Sequence, residues 1–307
     1  MPLSISQRLQ YLKWAATTAL LDKDRSCPAC NSSDICLVRR KYLVTSLCEC
    51  EFCGLRFRMP RDHGLDTDEF YQGEYSEGFT TDCPSEDVLS KLIAQKFSGS
   101  EKDFSTYIGV LKSLGMEEGD SLLDFGSSWG YGSWQFRQAG FRVFSYEISK
   151  ARAAFASAKL SCNLVESMDK MPEKVKCLFS AHVIEHLPNP NLIWEVARKV
   201  LSANGMIVCF CPNGEPARES LLGLRKYDFM WGKVHPMLIT PRYLQSTSTC
   251  YGYRSSIYSS PYDVNDISNC RNESQFTGDE LCLIAKRVQG ISEELRELKS
   301  YLAKGNQ

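Results

Sequence analysis

The stretch from Leu122 to Gly132, Leu-Leu-Asp-Phe-Gly-Ser-Ser-Trp-Gly-Tyr-Gly, constrains what this chain can fold into more than any other. Apolar residues run into an acid, and small residues follow closely. That order ends a buried parallel strand in a tight turn and opens a helix. Glycines there let the backbone approach a ligand, and the helix start offers free N–H groups. Phe141 to Glu147 reads as the next strand and ends on a carboxylate 17 residues past Gly130. A nucleotide-binding unit places the acid that grips a ribose at about that distance. A dinucleotide fingerprint would read G-x-G-x-x-G with no acid before it, and a phosphate loop needs a lysine that this turn lacks.

Downstream the pattern repeats. Asn163 to Val165 reads as a third strand, and Lys176 to Leu187 as a fourth with its turn, closed by Pro188-Asn189-Pro190. Asn191 to Leu201 carries apolar residues at helical spacing, with Gly205 expected to close that helix. Met206 to Cys211 and Leu281 to Ala285 read as short apolar strands, and Val88–Phe97 and Phe104–Leu114 as helices ahead of the first strand. Alternating strands and helices predict a parallel sheet covered on both faces.

The run Asp124-x-Gly126-x-Ser128-x-Gly130 resembles the first motif of class I S-adenosylmethionine-dependent methyltransferases, which usually carry glycine where Ser128 stands. The similarity extends from about Ser85 to Arg287. It implies an α/β, Rossmann-like, seven-stranded, mostly parallel sheet, with S-adenosylmethionine as cofactor. On that resemblance Gly126 and Gly130 admit the methionine part, while Asp124 and Ser128 shape the turn. Glu147 accepts hydrogen bonds from the ribose hydroxyls. Ser167 and Met168 face the adenine, with Asp169 near its amine, and His182 lies at the mouth of the pocket.

Only four histidines occur in the chain, and two fall in His182-Val183-Ile184-Glu185-His186, with His235 further on before Pro236. H-x-x-E-H also spells an inverted zinc-protease signature. That motif needs a helix, and the prolines after His186 forbid one here. The segment resembles the Glu-His turn of ubiquinone-pathway O-methyltransferases and glycan-modifying relatives. Some RNA 3′-end 2′-O-methyltransferases hold a divalent metal on a related Glu-x-x-Glu-His turn. By that likeness a second metal site at His182, Glu185, His186 and His235 is possible in altered form. The region around His235 also loosely resembles the one where sugar C-methyltransferases carry a histidine base. Methyl transfer to a hydroxyl benefits from a base near neutral pKa, so His235 or His186 is the expected base, with Glu185 orienting an imidazole. The alternative for His186 is a structural hydrogen bond that pins the turn. His63 reads as a surface residue.

Cys27-Pro28-Ala29-Cys30 and Cys50-Glu51-Phe52-Cys53 are two C-x-x-C knuckles separated by 19 residues. That spacing lets Cys27, Cys30, Cys50 and Cys53 surround one structural Zn²⁺, as in a zinc ribbon. Gly54 supplies the permissive backbone after the second knuckle, and Asn31 the same after the first. The alternative is four reduced thiols without metal, and Cys48 is a competitor for Cys50. The other cysteines, such as Cys177, Cys209, Cys211 and Cys282, sit singly in apolar strands as small core residues. Seven basic residues face three acidic ones between Arg25 and Arg61. The ribbon is therefore read as a structural cap, with contact to a phosphate-bearing substrate as a second role.

The resulting organisation is an N-terminal helix (1–24), a zinc ribbon (25–62), a lid or linker (63–84), a class I methyltransferase domain (85–289) and a C-terminal helix (290–307). Phe70, Tyr71, Tyr75 and Phe79 suit the lid; Ile291, Leu295, Leu298 and Leu302 share one face of the last helix, for the sheet edge or a homodimer contact. The N-terminal segment lacks the basic start and cleavage site of a signal peptide, and no apolar run approaches a membrane span. A cytoplasmic protein is expected. A formal net charge of −1 gives no global attraction to nucleic acid. The function expected is methylation of a small-molecule or sugar acceptor, such as a nucleotide-sugar or polysaccharide. The alternatives are a zinc-ribbon RNA methyltransferase and a non-catalytic binding module that keeps the fold.

Overall fold

The structure is a computed structural model that describes residues 12–13, 15–19, 25–41, 44–61, 82–232, 235–269 and 273–288. Residues 12–13 and 15–19 are helical, and Ala15 is buried. The rest of the expected N-terminal helix, His63, the aromatics of the expected lid and the expected C-terminal helix lie outside the described residues.

Two sheets organise the molecule. Strands β1 (Ile35–Lys41), β2 (Thr45–Cys50) and β3 (Arg56–Met59) form an antiparallel meander. The main sheet comprises β4 (Ser121–Phe125), β5 (Arg142–Tyr146), β6 (Val175–Ala181), β7 (Leu201–Pro212), β9 (Tyr253–Ser259) and β10 (Glu280–Arg287). The two-residue strand β8 (Met237–Leu238) comes late in the chain yet joins the meander beside β3. The main sheet runs in the order β5-β4-β6-β7-β10-β9. Its β5, β4, β6 and β7 pairs are parallel, whereas β10 runs antiparallel to both β7 and β9. Every residue of β4 is buried, as a strand covered on both faces requires. Helices Glu86–Ala94, Ser105–Ser113, Tyr131–Gln138, Lys150–Leu160, Leu192–Val200 and Pro241–Cys250 accompany the sheet.

Two expectations change, and one strand is added. Among the described residues the sheet has six strands rather than seven, because Asn163–Val165 reduces to a single parallel bridge between Leu164 and Ser145. Gly205 does not close a helix: Leu192–Val200 ends at Leu201, and Gly205 lies within β7. There the register jumps from Val175–Leu201 to Cys177–Met206, and a Cβ on Gly205 would meet the Val175 carbonyl oxygen at 3.0 Å. Finally, β9 carries too little strand signal in its serines to stand out in the sequence.

The small sheet does not stand apart. Cys27, Cys50, Cys53, Leu55 and Phe57 share one apolar cluster with Leu123, Phe125, Trp194, Ile207 and Tyr243. The basic residues of the meander serve the same junction. Arg39 pairs with Glu219 and Asp228, and Arg56 with Glu49 at 2.7 Å and with the Tyr227 hydroxyl at 2.8 Å. Lys41 donates to the carbonyls of Asp228 and Trp231 at 2.8 and 2.9 Å and lies over the Trp231 ring. Of the basic groups expected to meet phosphate, Arg39, Lys41, Arg56 and Arg58 are engaged with protein, and Arg40 is exposed.

Candidate functional site

The turn after β4 is built from backbone. The amides of Gly126 and Ser127 both donate to the Tyr146 carbonyl, at 2.8 and 2.9 Å. Gly126 (φ 86°) and Gly130 (φ 88°) occupy left-handed backbone. A Cβ on Gly126 would lie 2.3 Å from Val183 Cγ2, and one on Gly130 would lie 2.7 Å from Cys162 Sγ. Ser128 takes φ 51°, a conformation natural to the glycine it replaces. Its amide donates to Glu147 Oε2 at 2.8 Å, while the Ser149 amide donates to Oε1 at 2.8 Å. Burial raises the Glu147 pKa against these two bonds and the charge of Arg152. The buried hydroxyls of Ser127 and Ser128 have no protein hydrogen-bond partner. Unpartnered hydroxyls, glycines and a strand-end carboxylate fit an adenosyl cofactor.

Asp124 lies beneath the turn. Its carboxylate accepts from Ser133 Oγ at 2.6 Å, and Ser133 accepts in turn from Ser145 Oγ at 2.8 Å. Burial lifts its pKa to about 7, opposed by the Ser133 bond and helped by the charge of Glu147. Ser167, half-buried after the Leu164 bridge, precedes the short turn Met168–Lys170, where the Met168 carbonyl accepts from Lys199 Nζ at 2.7 Å.

The second half of the site gathers where β6 ends. Val183 packs over Gly126, so this segment adjoins the cofactor turn. His182 takes φ 55°, and Ile184–His186 form one 3₁₀ turn, so the helix of a zinc protease is absent here. Glu185 is buried, with both carboxylate oxygens lacking a hydrogen-bond partner. Its Oε1 lies 3.6 Å from His182 Nδ1 and 3.8 Å from His186 Nε2. Burial pushes its pKa up, but the neighbouring His182, His186 and His235 outweigh that and lower it. The rings of His186 and His235 are 4.7 Å apart. Burial and the charge of His186 press the His235 pKa down to about 4, keeping that imidazole neutral. Ligand atoms of Glu185, His186 and His235 all lie within 4.8 Å of one another.

His182 stands outside that group. Its Nε2 lies 2.6 Å from Glu280 Oε1, and Glu280 also accepts from the hydroxyls of Tyr107 and Tyr262, each at 2.7 Å. Desolvation opposes the charged ring, yet Glu185 and Glu280 raise its pKa to about 10. Sequence reasoning missed Glu280, Tyr107 and Tyr262. The acid opening the last strand was visible, but only the antiparallel direction of β10 brings it to the carboxyl ends of the parallel strands.

The four cysteines of the two knuckles assemble as expected. Sulfurs of Cys27 and Cys53 lie 3.6 Å apart, those of Cys30 and Cys50 3.5 Å, and all four within 4.8 Å. Tetrahedral thiolates bonded at about 2.3 Å to Zn²⁺ lie about 3.8 Å from one another. Asn31 (φ 58°) and Gly54 (φ 79°) close the knuckles in matching left-handed turns. Cys48 stays out, paired in register with Leu37 and Phe57.

Residues 123–209, which include the turn after β4, Glu147 and the Glu185–His186 turn but not His235 or Glu280, match the protein family described as Methyltransferase domain. The chain carries a methyltransferase domain. Solved structures similar to it include a SAM-dependent methyltransferase from Archaeoglobus fulgidus, at 16% identity over 66% of this chain and 100% of that one, TM-score 0.44. The plantazolicin methyltransferase BpumL, in complex with a pentazolic desmethylPZN analog and SAH, is 12% identical over 73% of this chain and 96% of its own, TM-score 0.48. A Haloferax volcanii complex of the Trm112 methyltransferase activator with a methyltransferase gives 15% identity over 67% and 99%, TM-score 0.46. No curated protein matches the chain by sequence. Among the described residues no helix is long and apolar enough to cross a membrane.

Proposed function

We propose that this S-adenosylmethionine-dependent methyltransferase methylates a hydroxyl group of a small-molecule or sugar acceptor, with His186 as the base. The observation that carries the reading is Glu185, a buried carboxylate without a hydrogen-bond partner that faces two imidazoles beside the cofactor turn. The cofactor supplies an electrophilic methyl sulfonium. Gly126 and Gly130 leave room for its methionine part, Glu147 accepts from its ribose, and Ser167 and Met168 flank its adenine. The chain's remaining task is to hold an oxygen in line with the methyl carbon and to take its proton. His186 takes that proton, and Glu185 stabilises the imidazolium that forms. His235, neutral and weakly basic, receives or donates a hydrogen bond that orients the acceptor.

A second reading has a specific observation in its favour. Glu185, His186 and His235 are also a two-histidine, one-carboxylate donor set with ligand atoms close enough to share a divalent cation. Such an ion would lower the pKa of a bound hydroxyl in place of the base. His182, drawn off by Glu280, is not part of that set.

Residues 25–62 are read as a zinc ribbon and 85–289 as the methyltransferase domain. Basic groups committed to the junction between sheets favour a structural ribbon and a sugar-type acceptor over RNA. The intact turn and Glu147 favour an enzyme over a binding module.

Calorimetric titration with S-adenosylhomocysteine is the test, followed by methyl transfer from labelled cofactor to a panel of nucleotide-sugars. Glu147→Ala is expected to weaken binding tenfold or more, a loss of about 1.4 kcal/mol. His186→Gln is expected to bind normally and to lose transfer. Failure of the folded, zinc-loaded protein to bind would end the proposal.

A further inference from the structure

The segment around His235 is anchored by the four-cysteine module. The Arg58 amide donates to the carbonyl of Pro236, next to His235, at 2.7 Å. Phe57 and Arg56 then pair with Met237 and Leu238. On the other flank the Arg58 guanidinium donates to the Gly232 carbonyl at 3.0 Å, and Lys41 to that of Trp231 at 2.9 Å. Gly232 closes back on the His235 carbonyl at 3.0 Å. Further along, the Thr240 hydroxyl donates to the carbonyl of Gly54, the residue that ends the second knuckle, at 2.7 Å.

A two-residue strand has no register of its own. That of β8 is set by β3, and β3 begins three residues after Cys53. Arg58 is 1% exposed and grips both sides of the segment, so its backbone and side chain act with the Gly214 amide, which donates to the Ile239 carbonyl at 2.9 Å, in fixing where His235 sits. The cofactor turn draws its hydrogen bonds from β5 and Glu147 instead.

We propose that Arg58 is a positioning residue for His235, which makes the four-cysteine module a working part of the acceptor side of the site rather than a cap. The proposal rests on the reading of His235 as an acceptor-site group. It follows that loss of metal, or oxidation of the knuckle thiols, disables the acceptor side while leaving the cofactor turn in place.

The experiment uses the full zinc-loaded chain labelled at histidine, whose few imidazole signals are assigned by single His→Gln variants. Contact between the His186 and His235 rings, 4.7 Å apart, should give a nuclear Overhauser effect. Arg58→Met is expected to abolish that effect and shift the His235 resonances, with His182 signals and S-adenosylhomocysteine affinity unchanged. Arg58→Lys, which keeps a donor for Gly232, should restore part of it. An unmoved His235 in folded Arg58→Met would overturn the proposal. Should that variant not fold, the wild-type protein stripped with a zinc chelator gives the same readout, and a His235 that stays in place again overturns it. Methyl transfer retained by His235→Gln would refute the role given to His235 and leave the result on Arg58 standing.

Discussion

The two halves of the site are built by different means. The cofactor half is nearly all backbone: one strand, one turn and the end of the next strand follow closely along the chain, with glycines where a side chain would collide. The half proposed to hold the acceptor is nearly all side chain. Glu185 and His186 follow β6, His235 arrives on a segment pinned by the small sheet, and Glu280 comes from a strand of opposite direction. A local backbone site tolerates change elsewhere in the molecule. A site assembled from distant segments depends on whatever fixes those segments, here two cysteine knuckles and an arginine.

The largest effect should come from the knuckles. Structural zinc in such modules contributes about 10–16 kcal/mol to their folding. Cys50→Ser removes one thiolate of four, so zinc stoichiometry should vanish and the main thermal transition should fall sharply, by calorimetry with metal analysis. Cysteines and strand β4 share an apolar cluster, which makes the companion measurement stringent. If the backbone-built half is self-sufficient, S-adenosylhomocysteine binding survives in whatever fraction stays folded. Its loss there would break the comparison.

Next comes the turn itself. Gly126→Ala puts a methyl group at a φ of 86° and about 2.3 Å from Val183 Cγ2. Left-handed backbone costs an ordinary residue roughly 1–2 kcal/mol, and displacing Val183 adds to it. The free turn is expected to relax away from that strain, and restoring it on binding, at about 3 kcal/mol, corresponds to roughly a hundredfold weaker cofactor binding. Calorimetry should show that loss with the His186–His235 contact intact. A variant that disturbs both halves equally would mean they are one unit.

What could be read from sequence follows the same division. The strand, turn and Glu147 were legible because spacing alone fixes a local backbone motif. So were the knuckles, down to Asn31 and Gly54, since a left-handed residue must close each one. The clustering of His186 and Glu185 was visible as a motif, and that of His235 only as a shortage of other histidines. Glu280, Tyr107 and Tyr262 were not legible, because their convergence depends on strand direction and on a helix ahead of the first strand. Gly205 misled for the same reason: a glycine after an apolar helix looks like its end, and only the register of β7 shows it inside a strand. The engagement of the meander's basic residues with the rest of the protein was not legible either. Their partners Glu219, Tyr227, Asp228 and Gly232 lie far along the chain.

The smallest effect concerns the ion pair of His182 with Glu280. The folded-state pKa of His182 is about 10, raised above its ordinary 6.5. A raised pKa stabilises the fold fully below the unfolded value and loses that contribution as pH climbs through the folded one. The window is therefore pH 6.5 to 10. Its size is limited, because the His182 side chain is 48% exposed and water screens the pair. An exposed pair of this kind contributes about 1 kcal/mol or less. Glu280→Gln removes that charge but can still hydrogen-bond the two tyrosines, so it isolates the Glu280 share of the shift while Glu185 still acts on His182. Melting temperatures of wild type and variant should differ slightly near neutral pH and converge towards pH 10. The Glu280 carboxylate bonds His182, Tyr107 and Tyr262 rather than the cofactor turn, and cofactor affinity should not follow the substitution. A variant that loses affinity with the same pH dependence would place His182 in the cofactor half, and the boundary between the two halves would have to be redrawn through it.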